Sequence, residues 1–162
     1  MTLLRADSVG YSYTPGHPVL DGVTLSIAGR SVVFLLGHNG CGKTTLLELL
    51  SGVRELQKGV IWYGAERLDQ FPARVCAQRV GFVPQIHAPV FAYTVREVVL
   101  MGRTPYLGFL GVPNRADHAI VDDAIERVGL AAFRDRPYTE LSGGERQMTL
   151  IARGLAQQTR VL

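Results

Sequence analysis

The chain has 162 residues, 47% of them hydrophobic, which is enough for one folded domain with a buried core and too apolar for a disordered segment. Its net charge of +3 comes without a block of Lys or Arg, so the charge gives no reason to expect nucleic acid as a partner. No run reaches the ~18 apolar residues of a membrane span, and residues 1–7 lack the plan of a signal peptide, so any membrane association is expected to pass through a partner. Of the two cysteines, Cys41 lies in a glycine-rich loop that must stay free. A structural disulfide with Cys76 is therefore not expected, and a reducing compartment fits.

Residues 2–13 place Leu4, Val9, Tyr11 and Tyr13 with enough alternation to read as a strand, and Thr14-Pro15-Gly16-His17-Pro18 is a turn by composition. Leu25 and Ile27 predict a second short strand. Gly29 then punctuates ahead of Val32-Val33-Phe34-Leu35-Leu36, which reads as a buried strand. Short strands in succession predict an antiparallel sheet. Tyr13, just before the turn, is a candidate for stacking on adenine. Simple packing is the competing reading of any strand tyrosine, and Tyr11 reads as the core-facing residue of the same strand.

Gly37-His38-Asn39-Gly40-Cys41-Gly42-Lys43-Thr44-Thr45 fits the phosphate-binding pattern G-x-x-x-x-G-K-[ST], and the helical pattern Leu46, Leu47, Leu49, Leu50 follows it. A triphosphate needs many donors at close range. Glycines let the backbone turn its N–H groups inward, and the helix start adds free N–H groups and the positive end of its dipole. Lys43 would reach the β- and γ-phosphates as a point charge, and the Thr44 hydroxyl suits Mg²⁺. His38 and Cys41 read as fillers of the loop rather than a catalytic pair.

Gly52 closes that helix as a C-cap candidate, and Val60-Ile61-Trp62-Tyr63 is strand-like. Arg79-Val80-Gly81-Phe82-Val83-Pro84-Gln85 is another short apolar run. Gln85 reads either as a surface glutamine or as a group that senses Mg²⁺ or an attacking water. Thr94 and Glu97 form a capping box for a helix over 95–101. Asn114 or Asp117 opens the next helix, with Ile120, Val121, Ala124, Ile125 and Val128 on one face and Gly129 at its end. Asp122, Asp123 and Glu126 on its polar side read as a solvated face in preference to paired catalytic carboxylates. Ser142 and Glu145 cap a helix reaching Leu155. Gly143 and Gly144 in its first turn cost about 1 kcal/mol each relative to alanine. A glycine-weakened helix start is either a flexible cap or a second anion site.

These residues together resemble the ATPase subunit of an ABC transporter. The loop resembles the Walker A motif with His38 in place of the usual proline, Gln85 matches the Q-loop, Leu141-Ser142-Gly143-Gly144-Glu145 matches the signature, and Tyr13 matches the aromatic A-loop position. The resemblance implies an α/β P-loop NTPase domain: a RecA-like core with an antiparallel β subdomain over about 1–90, a helical subdomain over about 91–140, then the signature helix and the start of the Walker B strand over 141–162. It implies ATP and Mg²⁺ as cofactors, with Gly37, His38, Asn39, Gly40, Cys41, Gly42, Lys43, Thr44, Thr45 and Tyr13 at the nucleotide and Thr44 and Gln85 at the metal. Ser142, Gly143, Gly144 and Glu145 would address the nucleotide of a second copy in a head-to-tail dimer.

Gly102-Arg103-Thr104-Pro105 is similar to a segment of importer ATPases for iron–siderophore, haem and cobalamin, and Leu155-Ala156-Gln157-Gln158-Thr159 points the same way. Molybdate or other metal importers, and soluble non-transport ABC proteins, are the alternatives. The implied partners are membrane permease subunits and, indirectly, a substrate-binding protein, with no nucleic acid. The implied place is cytoplasmic, on the inner face of the cell membrane. The resemblance puts the Walker B aspartate, the water-polarising glutamate and the switch histidine beyond Leu162. His17, His38, His87 and His118 all precede the signature, so none matches that histidine. On that expectation the chain is the N-terminal part of such a domain. It would hydrolyse ATP slowly or not at all by itself, and it would leave a hydrophobic edge open beside residues 32–36.

Overall fold

The computed structural model describes residues 2–85, 92–108 and 111–162. The chain forms two compact units, one of residues up to Val80 with Val161, the other of residues 81–160 with Leu162. The division falls about ten residues before the boundary expected near 90, and the signature helix is part of the second unit rather than a separate segment.

The first unit is built on a four-stranded antiparallel sheet in the order β2-β1-β3-β4. Its strands are β1 (Thr2–Thr14), β2 (His17–Ala28), β3 (Lys58–Tyr63) and β4 (Glu66–Arg67). The second strand is far longer than Leu25 and Ile27 alone suggested. The alternation Leu4, Ala6 turns one face inward, and a register shift between Ala6 and Val9 brings Val9 back to that face. On it lies α1 (Lys43–Leu50), whose Leu46, Leu49 and Leu50 join Leu4, Ala6, Val9, Leu20, Ile61 and Leu68 in the first core. Ser51 caps the helix, and Gly52 follows at φ 71°. A short helix α2 (Ala73–Arg79) buries Cys76 against the same core.

The buried strand expected at residues 32–36 is not found. Val32, Phe34 and Leu36 are 80%, 80% and 87% exposed, and the run pairs with no strand among the described residues. A strand is held by its neighbours' N–H and C=O groups, and among the described residues the antiparallel sheet β2-β1-β3-β4 does not include this segment. The parallel core expected around it is represented, among the described residues, by a single parallel bridge between Val80 and Val161.

The second unit is helical. It comprises α3 (Val95–Leu100), a 3-10 stretch Met101–Tyr106, α4 (Arg115–Arg127) and α5 (Gly143–Ala156). Among the described residues each of these three α-helices begins with a reciprocal capping box, Thr94 with Glu97, Asn114 with Asp117 and Ser142 with Glu145. Val95, Val98, Val99, Val121, Ala124, Ile125, Tyr138, Ala152 and Ala156 make the second core. Asp122 bonds Arg96 through both carboxylate oxygens at 3.1 Å, so it is structural rather than half of a catalytic pair. Arg103, almost fully buried, pairs with the equally buried Asp117 at 2.9 Å and donates to the carbonyl of Ala156 at 2.9 Å. That ties the 3-10 stretch to the start of α4 and the end of α5.

Candidate functional site

The loop of residues 37–42 turns back on itself before α1. The Cys41 N–H donates to the His38 carbonyl at 3.4 Å, and the Gly42 carbonyl accepts from Leu46 N–H at 2.8 Å. Gly42 is a position only glycine fills. Its φ is 92°, and a Cβ there would lie 2.8 Å from Leu20 Cδ2 and 3.1 Å from the Val19 carbonyl oxygen. Strand β2 therefore backs the loop closely. No side chain caps α1, so its first N–H groups are left for another acceptor.

Lys43 folds back over the loop. Its Nζ donates to the carbonyls of Gly37 at 2.8 Å and His38 at 2.7 Å, and lies 3.7 Å from Cys41 Sγ. His38 Nδ1 is 2.9 Å from the Asn39 carbonyl oxygen, which turns the ring onto the loop's own backbone. Residues 37–40 and Thr44 are exposed, and Thr45 is buried. The arrangement fits a polyphosphate: uncapped helix N–H groups, a glycine-lined backbone and one ammonium converge within a few residues. Among the described residues no group of three or more His, Cys, Asp or Glu could hold a metal ion. A divalent cation here would depend on phosphate oxygens together with the Thr44 hydroxyl.

Tyr13 stands beside this loop. Its hydroxyl is 2.9 Å from Thr45 Oγ1, and the residue is 58% exposed. That hydrogen bond places an open aromatic face at the start of α1, which strand periodicity alone did not require. Tyr11 meets Tyr13 edge-on, with centroids 5.1 Å apart. Arg54 lies over both rings, 5.1 Å from the Tyr11 centroid and 4.9 Å from that of Tyr13. Glu48 holds Arg54 from two nitrogens at 2.7 Å each, and Arg54 Nη1 donates to Tyr11 Oη at 2.9 Å. The Glu48 and Tyr11 hydrogen bonds raise the Arg54 guanidinium above its already high ordinary pKa. Neither Arg54 nor Glu48 was singled out from sequence. A spacing of six residues is not a helical pair, and the chain turns between them.

In the second unit Gln85 is exposed in a bend, while His87 and the segment after Gln85 lie outside the described residues. Ser142 Oγ accepts from Glu145 N–H at 3.3 Å, and Ser142 N–H donates to Glu145 Oε2 at 2.7 Å. The bond from the Ser142 N–H holds the Glu145 carboxyl below the usual range, with the Ser142 side chain adding to it. Ser142, Gly143 and Gly144 are exposed. A Cβ on either glycine would meet nothing within 4 Å, so no internal packing calls for glycine at these two positions.

The family model described as ABC transporter matches residues 20–162. The hemin import ATP-binding protein HmuV of Rhodococcus jostii is 38% identical over 160 residues, 98% of this chain and 53% of its own length. The cobalamin import ATP-binding protein BtuD of Halobacterium salinarum is 40% identical over 147 residues, 91% of this chain and 36% of its own length. The chain thus spans about a third to a half of these relatives. A solved nucleotide-free ATP-binding cassette from an ABC transporter superposes with a TM-score of 0.84 over 98% of this chain and 66% of that one. At 24% identity this is a likeness of fold.

Proposed function

The chain belongs to the ABC transporter family, and on that premise we propose that it is part of an importer's ATP-binding subunit, which couples ATP binding and hydrolysis to uptake of a metal chelate. The observation that carries the nucleotide half is the exposed, glycine-walled loop with Lys43 held among its carbonyls and Tyr13 tied to Thr45 beside it. In this reading the loop N–H groups of residues 37–42 and the start of α1 take the phosphates, and Lys43 exchanges carbonyl oxygens for phosphate oxygens. Thr44 meets Mg²⁺, Tyr13 stacks on the base, and Gln85 senses the metal or the water. Bound ATP supplies the phosphoanhydride whose hydrolysis drives the cycle.

Ser142, Gly143, Gly144 and Glu145 are proposed to present the α5 start to the nucleotide of a second copy. The support is the exposure of Ser142, Gly143 and Gly144 and the absence of any internal neighbour at the two glycines. Ser142 Oγ acts as an acceptor in its cap, so its proton remains to be donated to an oxyanion. Permease subunits, a substrate-binding protein and a place on the inner face of the cell membrane are part of the same proposal. Among the described residues no helix is long and apolar enough to cross a membrane. The chelate class rests on the hemin and cobalamin importers among the relatives.

Calorimetric titration with Mg-ATP tests the site. Lys43→Ala should weaken binding at least about thirtyfold, the ~2 kcal/mol of a charge-assisted contact. Equal affinity in the variant would remove the loop from the nucleotide site. Uptake of hemin against cobalamin by the assembled transporter reads the substrate class.

A further inference from the structure

Arg54 is the residue near the nucleotide site that the loop chemistry leaves unexplained. Its guanidinium is gripped by Glu48 at 2.7 Å and by the Tyr11 hydroxyl at 2.9 Å, and it covers the rings of Tyr11 and Tyr13. An arginine needed only for an ion pair has no reason to lie over two aromatic rings. Tyr13 is fixed at its other end by Thr45, at 2.9 Å. Its ring is thus pinned at the hydroxyl by the helix that carries the phosphate loop and on one face by a cation that cannot swing away. The residue nevertheless keeps 58% of its surface open.

We infer that Arg54 is a positioning residue for the adenine platform: clamped by Glu48, it orients Tyr13 so that its open face receives the base. This rests on the reading of Tyr13 as that platform. A planar guanidinium suits the task better than an ammonium. It bonds the Glu48 carboxylate with one edge while its flat face lies on the rings, whereas a lysine at position 54 supplies charge without the fork. The bonds of Arg54 go to Glu48 and Tyr11 rather than to the loop of residues 37–42, so on this inference its contribution is confined to ligands that carry a base.

The test is a mutant cycle with two ligands on the full chain. ATP and inorganic tripolyphosphate are titrated against the parent, Arg54→Met, Tyr13→Ala and the double variant. Stacking predicts a loss of about tenfold for ATP in Tyr13→Ala. Arg54→Met should weaken ATP about threefold, the scale of one exposed cation–π contact. It should leave tripolyphosphate unchanged and add nothing in the Tyr13→Ala background. Equal losses for both ligands overturn the inference, since Arg54 then acts on the fold at large. ATP binding that is unchanged or tighter in Arg54→Met also overturns it, the tighter case meaning that Arg54 competes with the base. If Tyr13→Ala binds ATP like the parent, the platform reading itself fails, a result distinct from failure of Arg54 alone. Arg54→Lys carries the same comparison if Arg54→Met does not fold, and its retained charge should recover part of the threefold loss.

Discussion

At the scale of single residues, the most consequential contact outside the loop of residues 37–42 is the pair of Arg103 and Asp117, with side chains 8% and 7% exposed. Charges so far from water are stable only while they satisfy one another. Asp117 accepts from the Asn114 backbone and from Arg103, and these two bonds, in that order, hold its carboxyl below the usual carboxylate range. Arg103 also donates to the carbonyl of Ala156 and to Gln158 Oε1, and it lies 4.1 Å over the Tyr106 ring. Asp117→Asn keeps the shape of the cap and removes the charge, leaving a buried guanidinium uncompensated. A loss of about 3 kcal/mol is expected in urea denaturation, at the lower end of the range for breaking a buried pair. A change under 1 kcal/mol would mean that water reaches Arg103 and the pair is not buried in solution.

At the scale of elements, all three α-helices of the second unit start on a carboxylate: Glu97, Asp117 and Glu145. Each has its pKa lowered, first of all by a backbone N–H at its own cap. A carboxyl whose folded pKa is depressed contributes stability that is present above its unfolded pKa and lost as pH falls through the folded value. The helical unit should therefore lose stability below about pH 4, the ordinary carboxylate range, and keep a flat profile from there toward neutrality. Thermal unfolding at stepped pH, repeated on Ser142→Ala, measures this. The variant should lose about 1 kcal/mol near neutrality and show a shallower acid slope. These caps were legible because a capping box is written in four consecutive residues. The helix α2 was not legible, because Ala73–Arg79 offers only Cys76 to the core and has no apolar period. The Arg103–Asp117 pair was also hidden, since its partners lie fourteen positions apart, outside any local pattern. In the site, the glycines and Lys43 could be read from their order alone. The grip of Glu48 and Arg54 on the tyrosines depends on how the chain after α1 returns to β1, which no spacing rule encodes.

At the scale of the whole molecule, the five apolar residues 32–36 decide how the chain behaves in solution. Their sequence reads as a core strand, but apolarity states only a preference for burial, and the neighbours that provide burial are set by topology. Exposed and apolar, the run can act as a template for strand addition. Phe34→Lys should reduce self-association in light scattering and leave the unfolding midpoint within the scatter of surface substitutions, because Phe34 has 80% of its surface open. A large loss of stability would show that Phe34 is buried in solution. Each of the two units keeps a core of its own, and the chain's one tryptophan, half-buried, sits on β3 of the first. Trp62 Nε1 donates to Asp7 Oδ2 at 3.0 Å, and Arg5 lies 5.4 Å from the ring. That makes Trp62 a natural optical tag for the sheet, whereas unwinding of the helices dominates the far-ultraviolet dichroism. Emission recorded in one melt with dichroism thus reports the surroundings of the sheet beside the helix content of the whole chain, and a gap between their midpoints is a measure of how cooperatively the chain comes apart.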